Sequence, residues 1–290
     1  MRTNIFVLFI LTVILFSFME LSAQEQSETF PKAQFPFGEP LKLVKQRDRS
    51  PKKVFVLGVY GSAVHANWYS PEGRLLCDIS LAVASEPEIF WRGENAAEII
   101  SQIAMPSEAG YLRPAEETYN GSSGRVLDEL YFAPLGLSRS DAWLCDLVPH
   151  SFMNPEQKKA IKKSYTPSSK RYNLPTASIP EKPSTLIDES RRNEIIAELE
   201  ESQAETVILL GDDPIKWFLS CVSERKETRL AHFDMKNYGS PVSAKINGKT
   251  YTVLPLVHVR QAGGLGRHSP YLRQLHKNWA EDMYRQLSRK

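Results

Sequence analysis

The chain has 290 residues, of which 42% are hydrophobic and 24% charged, and its formal net charge is +2. That length suits one large domain or two small ones, the composition is ordinary for a globular protein, and the small net charge excludes a polycation. The three cysteines, Cys77, Cys145 and Cys221, are odd in number and lack metal-type spacing, which argues against a disulfide framework or a structural zinc site. Cys145 and Cys221 stand in apolar contexts and are expected to be small core residues.

At the N-terminus, Arg2 precedes an apolar run from Ile5 to Phe16, and Leu21-Ser22-Ala23-Gln24 follows. A basic start, a short apolar core and a small-residue site predict an export signal over residues 1–23, cleaved after Ala23. The protein would then be periplasmic or secreted. The run is short for a membrane span of about 20 residues. An uncleaved anchor, and a start codon placed too far upstream of a cytoplasmic protein, remain open. Residues 24–52 are polar and proline-bearing and read as an extended lead-in. Residues 53–290 read as one α/β domain.

Within that domain, Val54–Tyr60 is apolar, rich in branched residues and stopped by Gly61-Ser62, which predicts a buried strand delivering a loop to a sheet edge. His65 follows shortly after. Ile79–Ala84 is expected to be the next strand. Ala96, Ile99, Ile100 and Ile103 have helical spacing, and 105–119 reads as loop. A helix is predicted from Ser122 to Phe132, capped by Ser122 or Ser123. Asp141–Val148 reads as a buried strand closed by Pro149. Residues 151–185 look like a basic, irregular insertion around a short helix. Helix Ser190–Glu201 and strand Thr206–Gly211 come next, then a helix capped by Asp212 or Asp213 with Pro214 in its first turn. Asn247-Gly248 signals a hairpin within 242–254. Its second arm runs into His258, and Ser269-Pro270 opens a last helix to about Leu287. Strands alternating with helices imply a three-layer α/β/α sandwich around a central, mostly parallel four-stranded sheet. Ligands of such sheets bind at strand ends. The basic runs Lys158–Arg171 and Arg260–Lys290 are either solvated faces or a surface that meets phosphates.

Five landmarks in this order resemble the uracil-DNA glycosylase superfamily, most closely a divergent bacterial branch. They are the Gly58-Val59-Tyr60-Gly61 loop, the Gly121-Ser122-Ser123-Gly124 helix start with Gly136-Leu137-Ser138-Arg139, the strand Trp143–Pro149, the strand Val207–Gly211, and a strand ending at His258. The resemblance spans most of 53–279. It implies a DNA glycosylase that hydrolyses the N-glycosidic bond of a flipped-out damaged or unusual base. By the resemblance His258 stabilises the departing base. Tyr60, Ser62 and His65 lie near the attacking water, Gly58, Asp146 and Glu86 bind the base, and Phe90, Trp91 or Trp68 stack on it. Ser123, Arg260 and Arg267 hold phosphates of the DNA.

The departures are informative. Relatives carry aspartate or asparagine in the first loop, where Tyr60 stands here, so Tyr60, Ser62, His65 or Glu86 must take over that work. Asp146 stands where relatives read the base with asparagine. An ionised carboxylate only accepts hydrogen bonds, so Asp146 prefers an edge with donors over uracil's O4. Relatives with an iron–sulfur cluster use four cysteines, so no cluster, metal or other cofactor is expected. A monomer whose partner is DNA, a nucleobase or a nucleotide is the expected state. The alternatives are a glycosylase-like binding protein without catalysis and an exported small-molecule α/β hydrolase using His65 or His258.

Overall fold

The computed structural model describes residues 29–289. The expected export signal, residues 1–23, lies outside the described residues. Among the described residues, no helix is long and apolar enough to cross a membrane. The strands are β1 (Thr29–Gln34), β2 (Pro40–Lys42), β3 (Val54–Tyr60), β4 (Ala63–Tyr69), β5 (Leu81–Ser85), β6 (Tyr111–Pro114), β7 (Ala142–Val148), β8 (Thr206–Leu210), β9 (Val242–Ile246) and β10 (Lys249–Leu256). The helices are α1 (Ala96–Ser101), α2 (Ser122–Leu127), α3 (Pro155–Ala160), α4 (Thr166–Arg171), α5 (Glu189–Ser202), α6 (Asp212–Pro214), α7 (Ser220–Val222), α8 (Val259–Ala262) and α9 (Pro270–Leu287).

The expected α/β class is present, but the main sheet has five strands among the described residues, not four. Its order is β7-β3-β8-β10-β9. The first four run parallel, and β9 adds an antiparallel edge. Every residue of β7, and all but the last of β3, is buried. That is why these strands read as continuous apolar runs rather than alternating ones. The extra strand comes from the Asn247-Gly248 hairpin. Both turn residues have positive φ, 46° and 82°, as a tight hairpin turn demands.

The strand expected at 79–84 forms as β5 but belongs to a separate antiparallel sheet, β5-β4-β6. This sheet has its own core around Trp68, Val83, Trp91 and Tyr165. The segment 105–119, expected as loop, contributes β6, and the lead-in contains the β1-β2 pair. The 151–185 insertion is more helical than expected: α3, a π turn over Ile161–Tyr165 and α4 follow one another.

Two expected caps are corrected. Gly121 and Gly211, not the neighbouring serines and aspartates, occupy the N-cap positions of α2 and α6, each with positive φ. An alanine Cβ at Gly121 would lie 1.9 Å from the Arg92 carbonyl carbon, so close approach chose glycine there. Cys221 is exposed and not a core residue, whereas Cys145 is buried as expected.

Candidate functional site

The cavity at the carboxyl ends of the parallel strands has a volume of about 900 Å³. Tyr60 at the end of β3, Asp146 near the end of β7 and His258 just past β10 all line it. The residues expected at the site therefore converge. Ser62, His65, Glu86, Phe90, Trp91, Ser123 and Arg260 line it as well. Three expected residues do not. Gly58 lies beneath the lining, Arg267 is exposed outside it, and Trp68 is fully buried in the second core with its Nε1–H on the Ala109 carbonyl.

Gly58 shapes the floor. Parallel register sets it beside Asp146. A Cβ at Gly58 would meet Asp146 Oδ1 at 2.2 Å and Phe90 Cζ at 2.7 Å. The missing side chain thus makes room for a carboxyl and an aromatic ring. Phe90 itself has φ 53°, a left-handed conformation rare for an aromatic residue. Arg139 holds it there by donating to the Phe90 carbonyl while pairing with Asp128 at 2.8 Å.

Asp146 is 3% exposed. Its carboxyl makes no hydrogen bond or ion pair with any described residue. Arg191 holds its backbone carbonyl at 2.8 Å and that of Leu147 at 3.1 Å. Burial pushes the carboxyl up to about 7, against the pull of Arg191 and with a push from Glu198.

Glu86 is 4% exposed and follows β5 directly. The pairing of Ala63 with Ser85 carries it to the Gly61-Ser62 turn, where it accepts the Ser62 N–H at 2.8 Å. Burial and then the neighbouring Asp146 push it up to about 8. The Ser62 and Trp91 N–H groups and Arg139 pull the other way. Both groups are therefore largely protonated acids in the mildly acidic range.

His258 caps α8: its Nδ1 accepts the Arg260 N–H at 3.3 Å. With Nδ1 an acceptor, the proton of the neutral ring is on Nε2. Burial, then Arg260, push its pKa down to about 4, with Asp213 opposing. The ring is thus a neutral N–H donor across the physiological range. Gly211 at the end of β8 lets it approach, because a Cβ there would touch the His258 Cβ at 3.0 Å.

The backbone before His258 is clamped on both sides. Tyr131 donates to the Val257 carbonyl at 2.6 Å, and the Tyr238 hydroxyl oxygen accepts the Val257 N–H at 3.0 Å. Tyr238 in turn donates to His276 Nδ1 at 2.7 Å, and His276 Nε2 donates to the Leu130 carbonyl at 3.0 Å. These three residues escaped sequence reading, for they lie far apart along the chain and their neighbours give no motif. Val257 is 1% exposed. Tyr238→Phe strands its N–H without an acceptor and is expected to cost about 1–3 kcal/mol, read as a lower midpoint in urea unfolding at unchanged slope.

The remaining expected catalytic groups are placed less pointedly. The Tyr60 ring packs edge-on against Phe152 at 5.4 Å, with the Lys182 ammonium 5.6 Å from its centroid. Ser62 is held through its backbone: its N–H meets Glu86 and its carbonyl accepts from Ser151 Oγ. His65 lies in β4, with Nδ1 2.9 Å from the Ala63 carbonyl, and burial lowers its pKa. Ser62 and His65 make no hydrogen bond to one another, so no nucleophile–base pair forms there. At the rim Lys182 pairs with Asp213 at 3.1 Å, and both line the cavity. Sequence reading had placed Lys182 in the irregular insertion and Asp213 at a helix cap.

Among the described residues no group of three or more His, Cys, Asp or Glu is placed to hold a metal ion. Neither the protein-family models nor the curated proteins yield a match to the chain.

Proposed function

We propose that this protein is a glycosidic-bond hydrolase of the uracil-DNA glycosylase type, acting on a base turned out of its strand into the cavity. The observation that carries the reading is His258. It is a neutral histidine at a strand end whose Nε2–H tautomer is set by the Arg260 N–H, on the wall of a cavity with the aromatic Phe90 and the buried Asp146 at its floor. A donor of this kind stabilises negative charge growing on a departing base without giving up a full proton. Phe90 offers a face for stacking, and Asp146 an edge for hydrogen bonding. The parallel order β7-β3-β8-β10, with the site at the carboxyl ends, supports the three-layer fold that the resemblance implies. Glu86 supplies a carboxyl beside the first loop, where Tyr60 lacks one.

The test is excision from a panel of oligonucleotides, each bearing one modified base, scored by alkaline cleavage at the abasic site. At least one base is expected to be released. A protein that binds DNA in a salt-sensitive way yet releases none would favour the binding-protein alternative, to which Tyr60 in the water-positioning loop already points. The hydrolase alternative finds less support, because Ser62 lacks a histidine partner.

A further inference from the structure

Among the described residues, no cation pairs with either of the two buried carboxyl groups at the floor of the cavity. The nearest guanidinium groups are already committed. Arg139 pairs with Asp128 at 2.8 Å and reaches Glu88 at 3.6 Å. Arg191 pairs with Glu194 at 2.9 Å and Glu198 at 3.2 Å. Four carboxylates thus surround two guanidiniums; Arg191 and Arg139 lower Asp146 and Glu86 from nearby but pair with neither, and burial outweighs them. The remaining charged groups stand at the rim. Lys182 is paired with Asp213, Arg260 has its guanidinium against the Gly266 turn, Lys159, Glu156 and Asp78 are exposed to solvent, and His258 is neutral. The carboxyl of Asp146, without a hydrogen bond or ion pair of its own, opens to the cavity.

We propose that the cavity takes a cationic heterocyclic base, such as an N-alkylated purine, with its positive ring directed at Asp146 and Glu86. This deepens the reading of the cavity as a base pocket and rests on it. An unpaired buried carboxylate is costly, so the empty cavity favours the protonated forms of the two acids. A neutral base leaves them so and gains ordinary hydrogen bonds. A cationic base lets a carboxyl ionise against it, which turns those bonds into charge-assisted ones of about twice the strength. Phe90, with its ring edge on Gly58 beside Asp146, adds an aromatic face that favours a cation further. The unpaired Arg260 at the rim suits the phosphate of the same nucleotide.

Two isomers separate charge from shape. N1-methyladenosine carries a positive ring at neutral pH, whereas N6-methyladenosine is neutral. Titration calorimetry of the full chain with each isomer at pH 7.5 is expected to give at least tenfold tighter binding of the N1 isomer. Asp146→Asn is expected to remove that preference, and Glu86→Gln to reduce it, in protein whose melting shows it folded. Equal affinities, tighter binding of the N6 isomer, no binding of either at millimolar concentration, or a preference that survives Asp146→Asn would each overturn the proposal. The wild-type comparison stands even where a variant fails to fold. Calorimetry reads binding and the oligonucleotide panel reads release, so the two outcomes are separable. Selective binding without excision refutes the glycosylase reading alone. Excision of neutral bases without preference for the cation refutes this proposal alone.

Discussion

His258→Ala is expected to lower excision by about 10²–10³-fold, the usual consequence of deleting one preorganised donor at a developing anion. The loss should fall on kcat with little change in KM, because the base carries its negative charge only in the transition state. The protein should remain folded. The His258 side chain is half-buried and makes one hydrogen bond, to the Arg260 N–H, whose removal costs about 1 kcal/mol as for other helix caps. The defect should also be the same at every pH between 5 and 8, since the ring stays neutral down to about 4. A defect that appears only above or only below pH 6.5 would mean that the ring works by gaining and losing a proton instead. Single-turnover rates across that range, with melting curves of the variant, make the measurement.

The second large effect is on stability. Folding raises Glu86 from an ordinary 4.5 to about 8 and Asp146 from 3.8 to about 7. The folded protein therefore binds more protons than the unfolded chain between roughly pH 4 and 8. Stability from these two groups is fully present below their unfolded values and is lost as pH rises through the folded ones. His258 and His276, both lowered to about 4, act oppositely, as do His65 and His150, which burial also lowers, and their contribution is lost as pH falls through 6.5. The unfolded histidines still titrate between pH 6.5 and about 7.5 and offset part of the slope there, so the two acids are isolated by comparing wild type with the variant Glu86→Gln, Asp146→Asn. Between pH 6.5 and 8.5 wild type should lose about 2–3 kcal/mol more stability than that variant, a few degrees or more in melting temperature for a chain of this size. Parallel pH dependences of wild type and variant over this range would show that the two carboxyls are ionised in the folded protein.

β3, β7 and β8 were legible because each is a short, almost wholly buried apolar run ended by a glycine or proline. The Asn247-Gly248 hairpin was legible because few other dipeptides take two positive φ values in succession. The second sheet was not. β6 is four residues long, its two leading side chains are only half-buried, and Pro114 closes it, so no alternation develops. The insertion hid its helices for a related reason: its lysines and prolines mask the apolar spacing, and a π turn shifts the period between α3 and α4.

At the site, His258, Asp146, Glu86 and Phe90 could be named beforehand through the resemblance, with His258 and Glu86 standing just past strand-like runs. What they do there could not. The protonated character of Asp146 comes from burial against Gly58 and from the commitment of Arg191 elsewhere, neither of which a sequence reports. This changes the expectation that the resemblance and an ionised carboxylate implied. A protonated Asp146 both donates and accepts, as an amide does, and only its ionised form is restricted to accepting. Tyr131, Tyr238 and His276 were equally out of reach, since Tyr131 and Tyr238 meet at Val257 from distant parts of the chain and His276 backs Tyr238 from a third.

The central claim is that this cavity breaks the bond between a base and its sugar. It is tested most directly by incubating the purified full chain with the oligonucleotide panel and analysing the products by mass spectrometry. The account predicts a free base together with an otherwise intact strand bearing one abasic site, and loss of both products with His258→Ala. No free base from any member of the panel, or release that His258→Ala leaves unchanged, would contradict it.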